Sequence, residues 1–129
     1  MRTQRLAILY ARLARGAAFL SAVAARFGLW HDRGPHPFAA FIQYTGEVNS
    51  FLPSATYPFL AVASTIAETT LGILLIIGFR LRWTALASAI LLALFGMAMA
   101  ISGGIKSPLD YSVFSASAAA LLLAEAAKK

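Results

Sequence analysis

From Thr84 to Ser102 the chain runs nineteen residues without one charged side chain. As a helix rising about 1.5 Å per residue, such a run crosses the roughly 30 Å hydrocarbon core of a bilayer. Three further apolar stretches flank it, over about 6–27, 57–79 and 108–126. Of the 129 residues, 60% are hydrophobic and 12% charged. A soluble domain carries about 25% charged residues. These features predict an all-α, integral membrane four-helix bundle that forms a single domain, 1–129, with the lipid bilayer as its main partner.

The segments between the stretches carry the turn and topology signals. "HDRGPHP", His31 to Pro37, reads as a loop. After it, Phe38, Phe41, Ile42, Val48 and Phe51 recur at near-helical spacing with polar residues between them. That pattern predicts a short interfacial helix between the first and second crossings. Arg80 and Arg82 form a short basic turn, with Trp83 as an interface anchor. Ser107, Pro108 and Asp110 together predict a helix start: a cap, a first-turn proline and an acid at the positive helix end.

With four crossings, Arg2, Arg5, Arg80, Arg82, Lys128 and Lys129 fall on one side, and Arg26, Arg33 and Lys106 on the other. The excess of basic residues on cytoplasmic loops then places both termini in the cytoplasm, in a multi-pass protein of the inner membrane. A three-crossing arrangement, with the first stretch lying on the surface, would separate the two ends. Arg2 and Arg5 before an apolar run, with Ala22-Val23-Ala24 after it, also fit a cleaved signal, but Arg12 and Arg15 interrupt the run that a signal needs.

The net charge of +6 is topogenic on this reading, since no basic patch is interleaved with aromatics; nucleic acid is not expected as a partner. The absence of cysteine excludes disulfides, thiol relays and thiolate metal sites. His31 and His36 lie in the loop at no recognised metal-ligand spacing, so no metal is expected there. No nucleophile–base arrangement, cluster of metal ligands or phosphate loop is present. The chain is not expected to be catalytic alone.

The one acid near the middle of a crossing is Glu68. A charge at the bilayer centre costs roughly 2.5–3.5 kcal/mol on insertion scales, and such residues usually face a bundle interior or cavity with a partner. Ser64 and Thr65 share its helical face with Ala61 and Gly72. On the first crossing, Arg12, Arg15, Phe19, Ala22 and Arg26 form one stripe. Arg15 lies about nine residues from the cytoplasmic end, roughly 13–14 Å deep, and Glu68 lies about ten residues in. This depth match predicts that Arg15, or failing that Arg12, pairs with Glu68. The buried polar site is then Glu68, Arg15, Arg12 and Ser64. Lys106, Asp110 and Tyr111 are outer-side candidates, with Tyr111 suited to a polar head group or to interfacial anchoring. Ala85, Ala89 and Ala93, and Ser112, Ala116, Ala120 and Ala124, repeat at four-residue spacing and read as close internal helix packing.

The runs "RLARGAAFL" (12–20), "AETTLGILLIIGFRLRW" (67–83) and "GIKSPLDYSVFSASAAALLLA" (104–124) resemble the DoxX family of small bacterial membrane proteins. The features that carry the resemblance best are Glu68 followed by "LGILLIIGFR", and Arg12 with Gly16. The resemblance implies four membrane helices and a non-catalytic accessory or anchoring subunit of a redox system, with a protein partner and quinone as the ligand class. It also raises Glu68, Arg12 and Arg80 as site residues. The alternative reading is a small carrier or channel with a buried Arg–Glu site, which would require a homo-oligomer because four crossings leave little room for a pore.

Overall fold

The computed structural model describes residues 2–30 and 35–128. Among these the chain is helical throughout: α1 (Arg2–Arg26), α2 (Pro37–Val48), a 3-10 turn (Ser54–Thr56), α3 (Tyr57–Ile77), α4 (Leu81–Gly103), α5 (Lys106–Asp110) and α6 (Val113–Ala126). Alanine and leucine dominate the long helices, and both lose little on entering a helix. Pro58 sits in the first turn of α3, where its missing N–H costs nothing. Gly78 ends α3 in the left-handed conformation, φ 76°, and its N–H closes on the Leu74 carbonyl.

Three helices are long and apolar enough to cross a membrane: Arg2–Arg26, Ser54–Ile77 with the turn included, and Leu81–Gly103. Their outer faces are apolar as well. Tyr10, Ile66, Ile77, Leu94 and Ile101 are each more than half exposed. Water would penalise that surface; lipid does not.

The fourth apolar stretch differs from its sequence reading. It is not one helix over 108–126. The chain breaks at Tyr111–Ser112, where Ser112 adopts φ 57°, and α6 alone has 14 residues. That is roughly 21 Å of helix. The Ser107 cap is also absent. Ser107 lies inside α5, whose N-cap is Ile105 with no side-chain hydrogen bond. Lys106 bonds Asp110 across one turn instead, so the acid answers a lysine rather than a helix end.

Packing joins the helices in pairs. α1 packs on α3, α4 packs on α6, and lighter contacts join α1 to α6 and α3 to α4. The common core is Phe19, Leu75, Ala85, Leu92, Leu123 and Ala124. The buried alanines Ala85, Ala89, Ala120 and Ala124 keep α4 and α6 close, and the Ser117 hydroxyl donates to the Ala89 carbonyl at 2.7 Å. On the other side, α1 and α3 meet at two glycines. A Cβ on Gly16 would lie 2.9 Å from the Gly72 carbonyl oxygen, and one on Gly72 would lie 2.9 Å from the Leu20 side chain. Helices approach this closely where side chains vanish.

Filling that contact separates the helices. Gly72→Leu should destabilise the protein by about 2 kcal/mol, the usual scale of overpacking. Gly103→Ala, with open space around it, should stay within about 0.5 kcal/mol. Unfolding in mixed micelles measures both, and equal effects would mean that α1 and α3 do not meet at Gly72.

Candidate functional site

Glu68 is the only buried acid among the described residues, 4% exposed in the middle of α3. Its partner is Arg26. One Arg26 nitrogen contacts Oε2 of Glu68 as a buried ion pair, and the other, Nη1, donates to the Thr65 hydroxyl at 2.9 Å. Thr65 in turn donates to the Ala61 carbonyl at 2.7 Å. The guanidinium also lies over the Phe41 ring, 3.9 Å from its centroid. One side chain thus links the end of α1 to the middle of α3 and to α2.

The pairing expected from depth, Arg15 or Arg12 with Glu68, is corrected. The Gly16–Gly72 contact sets the register of α1 on α3. Glu68 is one turn from Gly72, which places it level with about Leu20 on α1. Side chains on a helix slant toward its N-terminus. The two helices run antiparallel, so Arg26 slants toward Glu68 and Glu68 toward Arg26. Arg15 slants away. Counting from the ends of the apolar stretches missed this because α1 extends past α3 at its start, reaching back to Arg2.

Arg12 does different work. Its Nε donates to the Leu75 carbonyl at 3.0 Å and its Nη2 to the Ile76 carbonyl at 2.9 Å. These are orphan acceptors in the last turn of α3, where the helix dipole also favours a cation. Gly78 makes room, since a Cβ there would stand 3.1 Å from the guanidinium carbon. Arg15 rests over the Phe19 ring at 4.7 Å, and its buried Nε has no acceptor among the described residues.

The Arg26–Glu68 pair lines a cavity of about 610 Å³. Leu60, Leu91, Leu92, Leu94, Phe95 and Met99 make its walls apolar, and Ser64 lines it beside Glu68. The Ser64 hydroxyl donates to the Ala61 carbonyl of its own helix at 3.2 Å. From α2, Phe41, Tyr44, Thr45, Val48 and Asn49 line the cavity, and Tyr111 joins them from the α5–α6 break. α2 is held at both ends. Phe38 stacks on Phe27 at the end of α1, with ring centroids 5.4 Å apart. The Ser102 hydroxyl donates to the Val48 carbonyl at 2.8 Å and accepts from the Ser50 N–H at 3.2 Å. Burial, then Tyr111 and Glu47, hold the Tyr44 phenol above its ordinary pKa against the opposite pull of Arg26. Tyr44 therefore remains a neutral donor beyond the usual range of tyrosine.

This arrangement suits an elongated apolar molecule with a hydrogen-bond-accepting head. The volume falls within the range of small-molecule sites, and few polar groups interrupt apolar walls. Among the described residues no group of three His or acidic side chains could hold a metal. His31 and Asp32 lie outside the described residues, and His36 is exposed before α2. Arg80 is exposed in a left-handed turn conformation, φ 45°, and Arg82 lies 4.8 Å over Trp83; neither reaches the cavity. Of the outer-side candidates only Tyr111 lines it. Sequence reasoning missed Arg26 as a site residue, although the arginine stripe contained it, and missed the cavity faces of α2 and α4, which only tertiary packing assembles.

Removing Arg12 should uncap α3. Arg12→Leu should cost about 2 kcal/mol, since hydrogen bonds from a charged donor contribute roughly 1.5–3 kcal/mol each. Arg12→Lys should recover less than half, because an ammonium lacks the planar fork that reaches two carbonyls. Full rescue by lysine would contradict this role.

Compared with known proteins, the chain matches no family model, no curated protein and no solved structure.

Proposed function

We propose that this chain is a four-helix inner-membrane protein whose cavity binds a lipophilic molecule of the quinone class, and that it acts as an accessory subunit of a redox system. On this reading α6, with α5 before it, completes a fourth crossing, both termini are cytoplasmic, and α2 lies in the outer interface over the cavity. Three helices of spanning length and the apolar exterior support the membrane assignment. The resemblance of 67–83 and 104–124 to DoxX proteins supports the redox association.

The observation that carries the ligand class is the donor set. Arg26 is a fixed cation, and the Tyr44 and Tyr111 hydroxyls can donate, all lining one apolar cavity of about 610 Å³. Quinone carbonyls accept hydrogen bonds, and an isoprenoid tail suits walls of leucine, phenylalanine and methionine. Glu68 holds Arg26 in place. The second reading, an oligomeric carrier, is favoured by one fact: both members of the ion pair line the cavity rather than solid core.

Native mass spectrometry of protein extracted gently from its own membrane tests the proposal. The wild-type chain should carry close to one quinone per copy. Ala98→Phe, which fills the cavity from α4 without touching the ion pair, should lower that occupancy at least tenfold. A bare wild-type protein would contradict the quinone reading and favour the carrier.

A further inference from the structure

Arg15 poses a separate problem. It sits thirteen residues after the start of α1 and eleven before its end, so each end is roughly 17–20 Å away. No carboxylate or carbonyl answers its buried Nε among the described residues. Arg12 and Arg26, on the same stripe, are both satisfied. Arg15 and Arg26 face one acid, Glu68, so one of their two charges is left in excess. In a membrane that excess is costly unless an acceptor arrives from outside.

The route for one is present. Arg15 lines a second hollow, about 180 Å³, between α1 and α6. Beside Arg15 its walls are Ala11 and Ala14 of α1 and Ala116, Ala119, Ala120 and Leu123 of α6. Ala14 and Ala119 are exposed, so the hollow opens on the outer, apolar surface. The volume holds a carboxylate side chain, and small residues on both walls let another helix come close.

We infer that the α1–α6 groove docks a transmembrane helix of a different protein, one that presents a single Asp or Glu at mid-membrane depth to Arg15. A second copy of this chain does not supply that acid. Among its described residues Glu68 is buried and already paired, and Glu47, Asp110 and Glu125 lie at the ends of their helices. The inference rests on the membrane-spanning reading and is independent of what occupies the larger cavity. It gives the accessory-subunit role a surface separate from the larger cavity, which Arg15 does not line.

The test uses the full chain in phosphatidylcholine vesicles, with flotation confirming insertion. The chain has no cysteine, so Leu122→Cys, at an exposed position on α6, carries a single fluorophore. The probes are synthetic leucine–alanine helices of about 23 residues, long enough to span, with either Glu or Leu at the centre. Energy transfer should report at least tenfold tighter binding of the Glu helix than of the Leu helix. Arg15→Leu should bring the ratio near one. Ala119→Phe, which fills the groove but keeps the charge, should do the same, so a folding defect in the first variant does not decide the outcome. Equal binding of the two probes to the unsubstituted groove would overturn the inference. So would a preference that survives both substitutions, or self-association of the chain that Ala119→Phe abolishes. Failure to float would overturn the membrane reading itself. Quinone occupancy measured on the same samples reports the larger cavity separately.

Discussion

A buried carboxylate needs a cation, and much of this structure follows from how Glu68 obtains one. Breaking such a pair strands a charge in a low-dielectric interior, at about 3–5 kcal/mol. The pair with Arg26 therefore constrains α1 and α3 to one register, the same register that the Gly16–Gly72 contact requires. Because Arg26 stands at the end of α1, the arrangement also recruits α2 through the Phe41 ring. The cavity exists between these elements and α4, with the ion pair as its polar wall.

Three arginines on one helical stripe meet three different fates. Arg12 caps the carbonyls at the end of α3, Arg26 neutralises Glu68, and Arg15 has an aromatic face but no acceptor for its Nε. All three share one helical face, so the difference comes from what α3 offers at each level. Carbonyls are free only in its last turn, and its one acid sits nearer its middle. What remains for Arg15 is the seam with α6, where the walls are mostly alanine. The stripe is thus a ruler that reads the antiparallel neighbour, and only two of its marks find a match.

Much of the helical layout was legible in the residues. Long apolar runs dictate long helices, and Pro58 and Gly78 punctuate α3 for reasons visible in the sequence. Glu68 and Ser64 could be singled out because an acid on a small, polar helical face has few other uses. Its partner could not be named, since depth was counted from apolar boundaries. Arg2, Gln4 and Arg5 extend α1 beyond those boundaries, because helix propensity does not stop where hydrophobicity does. The slant of side chains along antiparallel helices then decides between Arg15 and Arg26. The break at Ser112 was also hidden: no glycine or proline stands at 111–113 to mark it, and Ser112 itself takes the left-handed conformation.

The pairing of Arg26 with Glu68 is the claim on which the cavity, the position of α2 and the isolation of Arg15 all depend. A double-mutant cycle in mixed micelles tests it most directly, with Arg26→Gln and Glu68→Gln made singly and together and compared with the same cycle on Arg15 and Glu68. Residues in direct contact couple by about 0.5–3 kcal/mol. The account predicts a coupling of at least about 1 kcal/mol for Arg26 with Glu68 and a clearly smaller one for Arg15 with Glu68. No coupling at Arg26, or a larger one at Arg15, would contradict it.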